Sequence, residues 1–118
     1  GNAMLSDSKS FGLMRSSLNG LAVQQEVILH NLANLETPGY KAKSVSFEDV
    51  LKGAGGKYDM KAHIITDDAT SIRPDGNNVD ADTESLKLYQ NYVQQLYLYQ
   101  KMSGQFSNFR YVLNQSAK

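Results

Sequence analysis

The sequence predicts a mainly α chain in which two long amphipathic helices, one at each terminus, pair as a coiled-coil-like hairpin around a short irregular and β middle segment. Three observations predict it. Apolar residues recur at alternating three- and four-residue steps near both ends, the spacing of a helix that packs on another helix. The stretch between them, 36–80, holds both prolines and five of the nine glycines. The chain has 118 residues and is 41% apolar, which suits one ordered domain rather than two domains or a disordered chain.

The first helix is expected over about 8–35. Phe11, Met14, Leu18, Leu21, Ile28, Leu32 and Leu35 mark its seam, and only Gln25 interrupts the repeat. Such a helix would be roughly 40 Å long. Gly20 inside it costs about 1 kcal/mol relative to Ala. Thr37-Pro38-Gly39-Tyr40 reads as a type II turn, with Pro second and Gly third, and Pro38 drives the preceding residue out of helix. Ser46-Phe47-Glu48-Asp49 resembles a capping box and predicts a short helix ending at Gly53, followed by the flexible run Gly53-Ala54-Gly55-Gly56. Lys61 to Thr66 and Ser71 to Arg73 read as short strands of a hairpin around Asp67-Asp68-Ala69. Arg73-Pro74-Asp75-Gly76 is a second turn.

The last helix is expected over about 82–115. Asp80, Asp82 and Glu84 supply capping carboxylates at its positive end. Leu88, Tyr92, Tyr99, Met102, Phe106, Phe109 and Leu113 form its seam, with Gln95 the internal miss. A second stripe, Leu86, Tyr89, Val93 and Leu96, runs beside it, and Gly104 is a candidate bend. Five of the seven tyrosines fall between Tyr89 and Tyr111. Tyrosine joins a large apolar ring to a polar end and is enriched at interfaces. The same residues also suit the core of a small bundle. As a set, however, they exceed what two helices and a polar middle segment can cover. Assembly with neighbours follows from that surplus.

Composition excludes several chemistries. Twelve basic and twelve acidic residues cancel, which argues against a nucleic-acid partner or a polybasic membrane surface. Without cysteine there is no disulfide, thiolate metal site or cysteine nucleophile. His30 and His63 lack metal-ligand spacing and read as structural. The acidic group Asp67, Asp68, Asp75, Asp80, Asp82 and Glu84 fails both calcium-loop frames, since Asp80 or Ser85 stands where glycine is required. It suits a solvated turn and a helix cap; a hydrolase using these carboxylates is the remote alternative. No nucleophile elbow, phosphate loop, dinucleotide fingerprint or zinc-protease helix occurs. The expectation is a protein that is not an enzyme and takes no catalytic residue, cofactor, metal or small-molecule substrate. Gly1-Asn2-Ala3 before Met4 reads as a cleavage scar, leaving a single domain over 4–118. No charged region followed by an apolar stretch marks a secretory signal.

The run His30 to Lys41 closely resembles the signature of the bacterial flagellar axial proteins, the rod, hook and hook-associated family. The match falls on Asn31, Ala33, Asn34, Thr37, Pro38, Gly39 and Tyr40. Asp75 to Asp80, with Asp82, Glu84, Lys87, Leu88, Asn91, Tyr99, Gln100 and Ser103 to Phe106, looks like the C-terminal half of the FlgB-type rod proteins, ahead of the sibling FlgC type. The resemblance spans about 13–113 and is weakest over 53–73. It implies a structural subunit of the proximal rod, the hollow drive shaft crossing the periplasm, needed for motility. It also implies self-association, contact with other rod and basal-body proteins, and export by the flagellar type III apparatus without a cleaved signal. Phe47 and Leu51 match the family's loose export-gate motif, although a packed short helix explains them at least as well. A soluble helical adaptor or secretion chaperone is the alternative from another class.

Overall fold

The computed structural model describes residues 2–52, 57–68 and 73–116. The chain runs α1 (Asn2–Ala33), β1 (Lys43–Lys52), β2 (Lys57–Thr66) and α2 (Ala81–Ser116). The helices are about 48 and 54 Å long at 1.5 Å per residue, and they dictate an elongated body of 69 × 29 × 14 Å. Its radius of gyration is 19.2 Å, against about 13.5 Å for a compact chain of this length.

α1 begins well before residue 8 because neither Gly nor Pro lies between Asn2 and Ser8. It stops close to the expected place. The Tyr40 N–H donates to the Thr37 carbonyl at 3.3 Å, and Gly39 takes a φ of +73°, as the third residue of a type II turn requires. The second turn closes by a Gly76 N–H bond to the Arg73 carbonyl at 3.0 Å, with Gly76 at a φ of +83°.

The middle segment corrects the sequence reading. Ser46 to Asp49 lies in β1, not in a short helix. β1 and β2 form a two-stranded antiparallel sheet in the register Phe47↔Ala62 and Asp49↔Met60. Val45 and Phe47 turn one way while Ser44, Ser46 and Glu48 are exposed on the other, a two-residue period that outweighs the local capping signal. A β-carbon at Gly20 would lie 2.7 Å from Phe47 Cε1 and 3.7 Å from Ala62 Cβ, so the glycine lets the hairpin approach α1. Ser16 Oγ accepts the Met60 N–H at 2.9 Å on the same flank. β2 starts earlier than expected and pairs with β1. The run 53–56, expected to be flexible, and 69–72 of the expected hairpin lie outside the described residues.

α2 passes through Gly104 without a break. Asp80 caps it: its Oδ1 accepts the N–H groups of Asp82 (3.1 Å) and Thr83 (3.4 Å). The two helices meet in opposite directions, Asn31 with Glu84 and then Gln24 with Asn91. The expected seam on α2 is nevertheless displaced. Between Ala81 and Met102 the positions that are not exposed are Ala81, Glu84, Leu88, Asn91, Gln95, Leu98 and Met102. They repeat at steps of three and four, and three of the seven are polar. Tyr92, Tyr99 and Leu113, assigned to the seam from sequence, are exposed.

Candidate assembly site

Two surfaces built on the helices carry the residues singled out by sequence. The first is the junction where α1 ends. Asn31, fully buried, grips Lys43 at the start of β1 with both ends of its amide. Its Nδ2 donates to the Lys43 carbonyl at 2.7 Å, and its Oδ1 accepts the Lys43 N–H at 3.0 Å. The same Nδ2 reaches Glu84 Oε2 at 3.0 Å, and the same Oδ1 accepts the Tyr40 hydroxyl at 3.0 Å. One side chain thus ties α1, the turn, β1 and α2 together. With the Tyr40 proton committed to Asn31, His30 Nδ1 donates to the Tyr40 oxygen across 2.9 Å. The Tyr40 phenol is held above its ordinary pKa, first by burial and then by the nearby Glu84 carboxylate.

Asn34 and Thr37 complete the corner. Asn34 Nδ2 donates to the His30 carbonyl at 2.8 Å, and Thr37 Oγ1 donates to Asn34 Oδ1 at 3.0 Å. The Gly39 N–H crosses to the Asp75 carbonyl at 2.8 Å. The structure therefore joins Asn31, Asn34, Thr37, Gly39 and Tyr40 of the motif in one network, while Ala33 and Pro38 are exposed.

From sequence, Asn77 and Asn78 read as polar residues following the second turn and as part of the resemblance, yet both are buried keystones. Asn77 Nδ2 lies within hydrogen-bond reach of the carbonyls of Asn34 (2.9 Å), Leu35 (3.2 Å) and Thr37 (2.7 Å), capping α1 from across the fold. Its Oδ1 accepts the Val79 N–H at 2.8 Å. Asn78 Oδ1 accepts the Ala42 N–H at 2.6 Å, and its Nδ2 donates to the Asp67 carbonyl at 2.8 Å. The Arg73 guanidinium also donates to the Leu35 carbonyl. The signal was the pair of consecutive amides placed after a Pro-Asp-Gly turn, where a loop offers few reasons for two of them.

The second surface is the outward side of α2. Leu86, Tyr89, Val93 and Leu96 are 58%, 65%, 45% and 43% exposed, so the whole second stripe is uncovered. Tyr92, Tyr97, Tyr99 and Tyr111 join it. No charged residue occurs from Leu88 to Gln100. Uncharged, Tyr-rich surface of this kind is what interface cores carry. On α1, Leu21 and Ile28 are buried, whereas Phe11, Met14, Leu18 and Leu32 are half-buried. Leu88 and Met102 are half-buried as well. The side chains of Phe106 and Phe109 lie outside the described residues. Phe47 is 37% exposed against Gly20, and Leu51 follows it on β1 with its side chain outside the described residues.

The arrangement offers little for catalysis. Among the described residues no group of three or more His, Cys, Asp and Glu is placed to hold a metal. Asp75 and Asp80 are occupied as turn and cap acceptors. His63 pairs with Glu48 at 2.9 Å on the exposed face of the hairpin. A cleft of about 170 Å³ between α1, β1 and α2, lined by Val27, Ile28, Val45 and Glu84 among others, is below the roughly 300 Å³ of small-molecule sites. No described helix is long and apolar enough to cross a membrane.

No family model matches the chain. Curated relatives do. The chain is 32% identical to a flagellar basal body rod protein FlgB of Bacillus subtilis, over 85% of its own length and 89% of that protein. It is 33% identical to the protein of the same description in Borreliella burgdorferi, over 63% of this chain and 73% of the relative. For that of Escherichia coli K12 the identity is 29%, over 84% and 88% of the two chains.

Proposed function

As a member of the FlgB family of flagellar basal-body rod proteins, this chain is a structural rod subunit and not an enzyme, and we propose that it builds the rod by covering the outward side of α2 with neighbouring subunits. The observation that carries this reading is the exposure of Leu86, Tyr89, Val93 and Leu96, the last three on the charge-free segment 88–100. Burying such a stripe yields about 25 cal/mol per Å² of apolar surface. Copies of this chain and other rod proteins are the neighbours, and contacts that do not close on themselves generate a helical tube. Such a tube serves as the hollow shaft on which motility depends. It requires many shared contacts and no bond-making chemistry.

The route to the rod belongs to the same proposal. The chain leaves the cytoplasm unfolded through the flagellar type III apparatus, without a cleaved signal, and takes its place where the rod crosses the periplasm. Phe47 and Leu51 are the residues for the export gate to read. Since Phe47 packs on Gly20 once β1 is formed, that reading precedes folding.

Complementation of a strain lacking the gene tests the assembly reading. The parent chain is expected to restore swimming and to appear in purified basal bodies. Tyr89→Glu with Val93→Glu is expected to be exported and folded yet to restore neither. Normal swimming with the double variant would defeat the proposal, and absence of the parent from basal bodies would favour an adaptor or chaperone.

A further inference from the structure

The two helices turn several polar residues toward each other, while an apolar stripe of α2 stays outside. The hydrogen bonds between the helices come from the Leu21 carbonyl, Gln24, Gln25 and Asn31 on α1 and from Glu84, Asn91 and Gln95 on α2, with Ile28 buried and Leu88 half-buried. Asn91 is 1% exposed. Its Nδ2 donates to the Leu21 carbonyl at 2.8 Å and to Gln24 Oε1 at 2.9 Å, and its Oδ1 accepts Gln95 Nε2 at 2.6 Å. Gln95 in turn reaches Gln25 Oε1 at 2.8 Å. The single interruption of each apolar repeat, Gln25 and Gln95, is thus one bonded pair.

We propose that Gln24, Gln25, Asn91 and Gln95 form a polar key that selects which face of α2 receives α1, and in which register, so that the apolar stripe stays free. α2 offers α1 two faces with heptad spacing. The stripe Leu86, Tyr89, Val93 and Leu96 is the more apolar and would win on hydrophobic burial alone. Gln24 reverses the choice, because burying an amide against that stripe leaves it without a partner. The key also opposes sliding. Moving α2 by one heptad in one direction sets Gln24 against Leu98 and carries Glu84 past the end of α1. In the other direction Asn91 meets Ser17, whose hydroxyl falls two bonds short of the Gln24 amide, and Asn31 loses Glu84. A polar residue in an otherwise apolar seam is the best-attested device for fixing register.

This inference rests on the helix pairing within one chain and stands or falls apart from the rod reading. The chain has no cysteine, so spin labels placed at the exposed positions through Ala22→Cys and Gln94→Cys report the pairing directly by pulsed dipolar spectroscopy. The labelled parent is expected to give one narrow distance distribution. Gln24→Leu together with Asn91→Leu is expected to keep the helix signal and melting temperature while adding a second distance population; a slip by one heptad displaces α2 by about 10.5 Å along its axis. A second variant, Gln25→Leu with Gln95→Leu, is expected to broaden the distribution less, because that pair lies at the rim. A single unshifted peak in the Gln24/Asn91 variant would overturn the proposal. So would loss of its helix signal, which would assign these amides to stability, or a broad distribution in the parent.

Discussion

The two sides of α2 invert the usual arrangement of a helix. Its inward side carries Glu84 and Asn91, nearly inaccessible and hydrogen-bonded, while its outward side carries Leu86, Tyr89 and Val93 in the open. In an isolated globular protein the apolar stripe would face the core. The inversion separates two tasks. Directional bonds at Asn31, Asn77 and Asn91 define the shape of one chain, and undirected apolar area is what the proposed assembly covers.

The contrast predicts unequal costs for substitutions on the two sides. Asn31→Ala should be the most damaging: it removes four hydrogen bonds, taking from Glu84 its partner on α1 and from the Lys43 backbone both of its bonds to the amide. A loss of about 3 kcal/mol in urea unfolding is expected. Asn77→Ala should cost about 1–2 kcal/mol by the same measurement, since it uncaps the end of α1. Both variants should unfold in one step, because the junction joins all four elements.

A subtler effect lies at Tyr40. Its phenol has a raised pKa in the folded chain, so the folded state holds the proton to higher pH than the unfolded state does. The stability it contributes is complete below about pH 10 and is lost as pH rises through the folded value. The stability difference between the parent and Tyr40→Phe should therefore shrink as pH is raised past about 10, in unfolding curves taken across that range. A constant difference would remove Tyr40 from the junction's energetics. At the other extreme, Tyr89→Ser should alter monomer stability by no more than about 0.5 kcal/mol. If it costs as much as Asn77→Ala, the division between the two sides fails.

The sequence made the long-range outline legible, and the reasons it stopped there are physical. Seven-residue spacing exposes a helix wherever it packs, so both helices could be read, and Pro38 with Gly39 marked the Thr37–Tyr40 turn. β1 could not, because Ser46 and Asp49 carry a local capping signal, whereas the strand depends on β2 and on the space above Gly20. The inward side of α2 was hidden for a related reason. A search for apolar periodicity passes over Glu84, Asn91 and Gln95, whose burial is made favourable by partners 53 to 70 residues away. Gln25 and Gln95 were each visible as a break, but nothing in a linear pattern pairs one break with the other. Among the motif residues, Asn31 and Tyr40 announced a special corner without revealing that Asn77 and Asn78 complete it.

The central claim is that α2 is a helix whose outer side is finished by other molecules. Helix content followed by circular dichroism over a wide range of protein concentration tests it most directly. Mass action predicts that helicity and thermal stability both rise as subunits associate and cover the stripe. A helix signal and melting temperature that stay constant from the most dilute to the most concentrated sample, with the chain monomeric throughout, would contradict it.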